Sequence, residues 1–144
     1  MNSFILVELI FLTILLGLSA FFSSAETAFF SLNPIHIHRI RRSRPGSARA
    51  IETLLATPTQ LLSTVLIGNT LVNVAAASLA FVIADQIWPG YGTPIAITSM
   101  TLLVILFGEV IPKRLAVRYP EQIAQRYLKP IHLAISAFPP FRKL

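Results

Sequence analysis

The sequence has no cysteine and little charge: Asp, Glu, Lys and Arg together make up 12% of its 144 residues. Without thiols there can be no disulfide, no thiolate metal site and no cysteine nucleophile. Soluble domains carry about a quarter charged residues, whereas here 54% of the chain is apolar and the mean hydropathy is +0.70. Most of this one domain's length is therefore built to face lipid. A glycine-rich nucleotide loop is also missing, which argues against ATP-driven work by these residues. No Ser-His-Asp constellation is evident, and an intramembrane protease would need a second catalytic group within the helices. The chain reads as a non-enzyme. Its formal charge of +6 does not indicate nucleic acid, because the basic residues form short clusters at the ends of apolar runs, as membrane loops do.

What is present is three apolar runs. The first extends from about Phe4 to Leu32, longer than the roughly 20 residues a crossing needs. It starts without Lys or Arg and is too long for a secretory signal, so a retained helix is expected. A polar stretch follows with Arg39, Arg41, Arg42, Arg44 and Arg49. The second run spans about Leu61 to Ile83, with Pro58 at its start, where proline is tolerated. A link with Trp88 and Tyr91 but no basic residue leads to the third run, about Pro94 to Ile111, which ends in Pro-Lys-Arg. Beyond Pro120, about Glu121 to Phe138 is amphipathic and reads as an interfacial helix closed by Pro139 and Pro140. The expected fold is all-α: three transmembrane helices over 1–120 and a juxtamembrane helix region over 121–144. The basic loops predict a multi-pass protein of the plasma membrane, with its N-terminus outside and its C-terminus cytoplasmic.

Polar residues inside such runs need a reason, since an ionisable group at membrane depth costs a few kcal/mol or more. Span one carries Ser23, Ser24, Glu26, Thr27 and Ser31. The serines could simply form a small-residue packing face, and Glu26 could pair with a basic loop residue. Span two carries Asn69 and Asn73, four apart and so on one helix face. Each could bond a neighbouring helix, although two on one face weaken that reading. Span three carries Gly108 and Glu109 ahead of Pro112. Proline has no amide hydrogen, so in α register the Gly108 carbonyl loses its partner. A freed carbonyl in lipid must find another partner, and a cation can be one. The alternative is a hydrated kink with Glu109 reaching toward Lys113 or Arg114. Hydroxyls, amide oxygens, a carbonyl and one carboxylate are hard donors that suit Mg²⁺, and Mn²⁺ or Ca²⁺ less sharply. His36 and His38 lie among arginines and His132 on the amphipathic segment, so none is expected to hold a metal.

The stretches FFSSAETAFFSL, LLSTVLIGNTLVNVAAASLA and LFGEVIPKRLAVRYPEQIA occur in that order over nearly the whole chain. Together they resemble the transmembrane domain of the CorC/CorB/CNNM magnesium transporters. The resemblance implies a homodimer with three spans and a juxtamembrane helix in each protomer. It implies a dehydrated Mg²⁺ held between the spans, with Na⁺ as the coupling ion for efflux. Its metal ligands would fall on Ser23 (or Ser24), Asn69, Asn73, Gly108 and Glu109. Pro112 would shape the backbone, Glu26 would support or couple, and Lys113 and Arg114 would rim the cytoplasmic mouth. Members usually continue into regulatory CBS modules that this sequence does not contain, so a shortened piece or a naturally short form is expected. A different class of function is a non-transporting membrane regulator or scaffold that senses Mg²⁺ for another transporter; a third reading keeps transport but changes the ion to Co²⁺ or Na⁺.

Overall fold

The computed structural model describes residues 2–137, and every element in that stretch is helical. Helix α1 is Ser3–Ser31, α2 Pro34–Ser43, α3 Pro45–Leu55, α4 Pro58–Ile87 and α5 Gly92–Leu103. A π-helical segment, Val104–Val110, continues α5 into α6, Ile111–Arg118, and α7 covers Pro120–Ala137. Three helical stretches are long and apolar enough to cross a membrane: Ser3–Ser31, Pro58–Ile87 and Gly92–Arg118. The first matches its expected run to within one residue at each end, and the second and third outlast theirs at both ends. The extensions mix apolar residues with polar ones such as Gln60, Asp85, Gln86, Lys113 and Arg118, and keep helical geometry beyond the apolar run. The anticipated closure at Phe138, Pro139 and Pro140 lies outside the described residues.

The three spans run antiparallel in sequence order. Gln86 Nε2 donates to both Glu8 carboxylate oxygens at 3.0 and 3.1 Å, so α1 starts where α4 ends. The return into α5 is short: Gly90 takes a positive φ of 84°, which favours glycine, and its amide donates to Asp85 Oδ1 at 3.2 Å. Lipid offers no hydrophobic drive between helices, so close packing must hold the spans together. Gly68 of α4 supplies it, since a Cβ there would stand 2.5 Å from the buried Phe22 ring of α1.

The basic stretch after α1 is two helices, not the solvated loop its composition suggests. Asn33 begins α2 by accepting from the His36 amide at 2.9 Å, while His36 Nδ1 accepts from the Asn33 amide at 3.2 Å. This reciprocal cap satisfies two amides that a helix start otherwise leaves open. Pro34 and Pro45 each occupy the first turn of a helix, where their missing amide costs nothing. Ile40, Ala48, Ile51 and Leu54 point inward and join Phe29 and Leu61 in one apolar cluster.

Helix α7 completes that cluster with a single stripe, Ala124, Leu128, Ile131 and Ile135. Its apolar face thus packs on the bundle rather than lying free at an interface. Burying a side chain such as Ile131 is worth about 1.5–3 kcal/mol where the alternative is water. Glu121 in its first turn accepts from Arg39 at 3.0 Å and stands 4.0 Å from His36 Nε2, tying α7 to α2. A second apolar cluster, with Leu12, Ala76, Ala80, Ile83, Ala96 and Met100, lies at the opposite end. The polar residues of the spans fall between the two.

The Gly68–Phe22 contact is testable. Gly68→Ala should lower thermal stability in detergent by about 1–3 kcal/mol, and adding Phe22→Leu should recover part of the loss. An unchanged melting curve for Gly68→Ala would show that the helices do not approach this closely.

Candidate cation site

The backbone of the third span departs furthest from the sequence expectation. The Ile111 amide donates to Leu106 O, a bond across five residues, so π register persists to the start of α6. From there the α pattern of i to i−4 resumes, which sends Arg114 to Val110. The carbonyls of Phe107, Gly108 and Glu109 lie between those two bonds. Only Pro112 and Lys113 lie between the matching amides, and Pro112 has no amide hydrogen. One amide must therefore serve three carbonyls. The α-register expectation assigned the loss to Gly108 alone; the π insertion adds a second deficit and widens the set to 107–109. Such π bulges gather at functional sites.

Ser19 of α1 joins this segment to α4. It is fully buried, and its hydroxyl donates to Asn69 Oδ1 at 3.2 Å. A Cβ on Gly108 would come within 2.9 Å of the same Ser19 Oγ. Asn69, Ser19 and Gly108 thus meet at one three-helix junction, near the middle of each span. Sequence reasoning missed Ser19. The signal was its spacing, four residues before Ser23 and so on the same face.

Two buried side-chain oxygens have no hydrogen-bond partner among the described residues: Ser23 Oγ and Asn73 Oδ1. Leaving such a group unsatisfied costs about 1–3 kcal/mol, so each calls for an explanation. Because α1 and α4 are antiparallel, Ser23 lies a turn from Ser19 toward the basic end, and Asn73 a turn from Asn69 toward the other. Along the helix axes the two residues thus lie on opposite sides of the Ser19–Asn69 bond. Glu109 is half-buried and makes neither an ion pair nor a side-chain hydrogen bond among the described residues. The expected alternative partners, Lys113 and Arg114, do not engage it.

The remaining candidates occupy other surroundings. Ser24 is turned away from the junction: its hydroxyl bonds Ala20 O at 2.7 Å and lies 3.2 Å from the Tyr127 hydroxyl of α7. Pro112 is buried and lines the same crevice between α1, α6 and α7. Glu26 faces Lys113, Thr27 and Leu62 around an open cavity of about 380 Å³, nearer the basic end, without forming an ion pair there. His36 has a capping role, and no group of three or more His, Asp or Glu that could hold a metal exists among the described residues. Any cation held here would rest on hydroxyl, amide and backbone oxygens with a single carboxylate.

Comparison with known proteins agrees with this architecture. The sequence model described as the cyclin M transmembrane N-terminal domain, CNNM, matches residues 10–144. The chain belongs to the CorC/CNNM family. It is 38% identical over 107 residues, 74% of its length, to the UPF0053 inner membrane protein YfjD of Escherichia coli. It is 36% identical over 120 residues, 83% of its length, to a chloroplastic DUF21 domain-containing protein of Arabidopsis thaliana. Those matches cover 25% and 18% of the two relatives, so the chain spans about a quarter or less of their length. The family model describes a transmembrane domain, and the Escherichia coli relative is named an inner membrane protein.

The orphaned oxygens give a test with an unusual sign. Without divalent ions, Ser23→Ala and Asn73→Leu should each raise thermal stability, by about 1 kcal/mol, because a buried unsatisfied group is removed. Both should lose the further stabilisation that Mg²⁺ gives the unaltered chain. Variants destabilised in chelator would show that these oxygens have protein partners after all.

Proposed function

We propose that this chain forms the ion-carrying part of a Mg²⁺ transporter in the plasma membrane, holding a dehydrated Mg²⁺ between its spans. The observation that carries this reading is the pair of unpartnered buried oxygens, Ser23 Oγ and Asn73 Oδ1, beside a backbone with too few amides. Mg²⁺ gives up its water reluctantly, and these oxygens are free to replace it once the helices bring them to one centre. Asn69 Oδ1 is occupied by the Ser19 hydroxyl. Rotation of that hydroxyl would release Asn69 Oδ1 and offer Ser19 Oγ as well, joining the two halves of the site. Glu109 supplies the one formal charge, which leaves the filled site at about +1. Such a site releases its ion more readily than a fully neutralised cage would, as transport requires.

In this reading the basic end is cytoplasmic, Glu26 and Lys113 stand at the entrance, and Mg²⁺ leaves the cell against inward-moving Na⁺. The oxygen-only donor set favours Mg²⁺ over the softer Co²⁺. Two copies associate through the groove of about 660 Å³ between α4 and α5, where Ala77, Ser78, Ala96 and Thr101 permit close approach. Regulatory domains like the CBS pair would act from a separate stretch of chain.

Mg²⁺ flux into proteoliposomes, with and without a Na⁺ gradient, tests the proposal. Glu109→Ala and Asn73→Ala should each slow flux by more than about tenfold, which needs only about 1.4 kcal/mol. Unchanged flux in both would overturn the site. Absence of flux from the unaltered protein, with Mg²⁺-dependent stabilisation retained, would instead indicate a sensor that regulates another transporter.

A further inference from the structure

The basic end carries far more positive charge than its acids neutralise. Arg39 pairs with Glu121 and Arg41 with Glu52, but no other arginine or lysine forms an ion pair among the described residues. These unpaired groups divide between different surroundings. Lys113 lines the cavity that holds Glu26. Arg114 and Arg118 instead line an outward-facing groove of about 470 Å³ with Ile111, Leu115 and Val117. All five residues of that groove are exposed. They stand at the very end of a helix that spans the membrane, Gly92–Arg118.

The geometry points to a binding site for an anionic phospholipid on this outer face of α6, with the headgroup phosphate held between Arg114 and Arg118. The two arginines are four residues apart, so they share one helix face one turn apart. A guanidinium meets phosphate oxygens in a bidentate fork that a lysine cannot reproduce. Arg118 is further oriented by the Tyr119 ring, whose centroid is 5.6 Å from its Cζ. Ile111 and Leu115, exposed by 45% and 49%, lie toward the membrane centre from Arg118 and offer an apolar track for an acyl chain. That combination of unpaired arginines and apolar residues at a lipid boundary distinguishes a phospholipid from a soluble phosphate or a nucleic acid. Ile111 and Leu115 also border the crevice that contains Pro112 and Ser24, so a bound lipid would brace the end of the π segment.

The test does not depend on transport. The 144-residue chain is held in neutral lipid–detergent micelles and titrated with phosphatidylglycerol, with retained lipid counted by native mass spectrometry. Arg114→Gln with Arg118→Gln should weaken retention on the order of tenfold, and the paired lysine variant should recover only part of it. Arg42→Gln with Arg49→Gln, which removes the same charge elsewhere at the basic end, should have little effect. Equal losses in the two glutamine pairs would reduce the site to diffuse attraction and overturn the proposal. So would displacement of the lipid by glycerol phosphate at matching concentration, since the acyl track would then contribute nothing. Leu115→Ser should weaken lipid retention while the fold, followed by circular dichroism, stays intact.

Discussion

At membrane depth a backbone carbonyl has no water to turn to, so each one without an amide must be shielded, hydrated or given a cation. The third span breaks this accounting twice within a few residues. Its π segment adds one carbonyl that the returning α register cannot serve, and Pro112 removes an amide that could have served it. Much of the surrounding structure follows from hiding that deficit. Gly108 has no side chain because Ser19 stands where a Cβ would go. Ser19 is small and polar because it must fill the junction and still satisfy Asn69. Closeness of α1 to α4 depends in turn on Gly68, whose missing side chain admits the Phe22 ring. A bulkier residue at any of these positions would open the polar layer to lipid.

The two apolar clusters on either side of that layer have different origins, and this bears on how the protein could move. Around Ala76, Ala80, Ala84 and Ala96 the helices touch through small residues within lipid, where association gains little from the hydrophobic effect. The cluster of Phe29, Ile40, Ile51 and Ile131 joins the spans to α2, α3 and α7, elements that would otherwise meet water, so its burial is worth more per residue. The Arg39–Glu121 and Arg41–Glu52 pairs lie over it. The basic end is therefore the firmer half of the bundle. Rearrangement that admits or releases an ion is more easily made at the other end, where Glu8 and Gln86 hold the spans by exposed hydrogen bonds.

Legibility in the sequence followed the range of the physics involved. The three spans were readable because hydropathy sums over about 20 residues and tolerates local error. Asn69 and Asn73 were readable because a spacing of four fixes a shared face. The effect of Pro112 was half readable: the missing amide is a property of the residue, but which carbonyl it orphans depends on the helix register, and no residue in Val104–Val110 announces a π turn. Ser19 was passed over because a lone serine in an apolar run looks like packing until its partners on two other helices are known. The arginine-rich stretch was read as loop because its charge hid the inward stripe of Ile40, Ala48, Ile51 and Leu54, which only α7 completes.

Charge placement links the mid-membrane layer to the surface beyond it. Among the described residues every Lys and Arg lies at one end of the bundle, while Glu8 and Asp85 mark the other. Arg114 follows Glu109 by five residues, roughly 7.5 Å along the axis, which is within the Debye length of about 8 Å at physiological salt. Screening is weaker still where lipid replaces water, so the basic collar raises the energy of a divalent cation approaching Glu109 from that side. A phosphate held by Arg114 and Arg118 would cancel part of this barrier without touching any oxygen of the site. The lipid at the boundary and the ion at the centre would then be coupled through the field as well as through the end of the π segment, and the field's share weakens with salt in a way that the contact-mediated share does not.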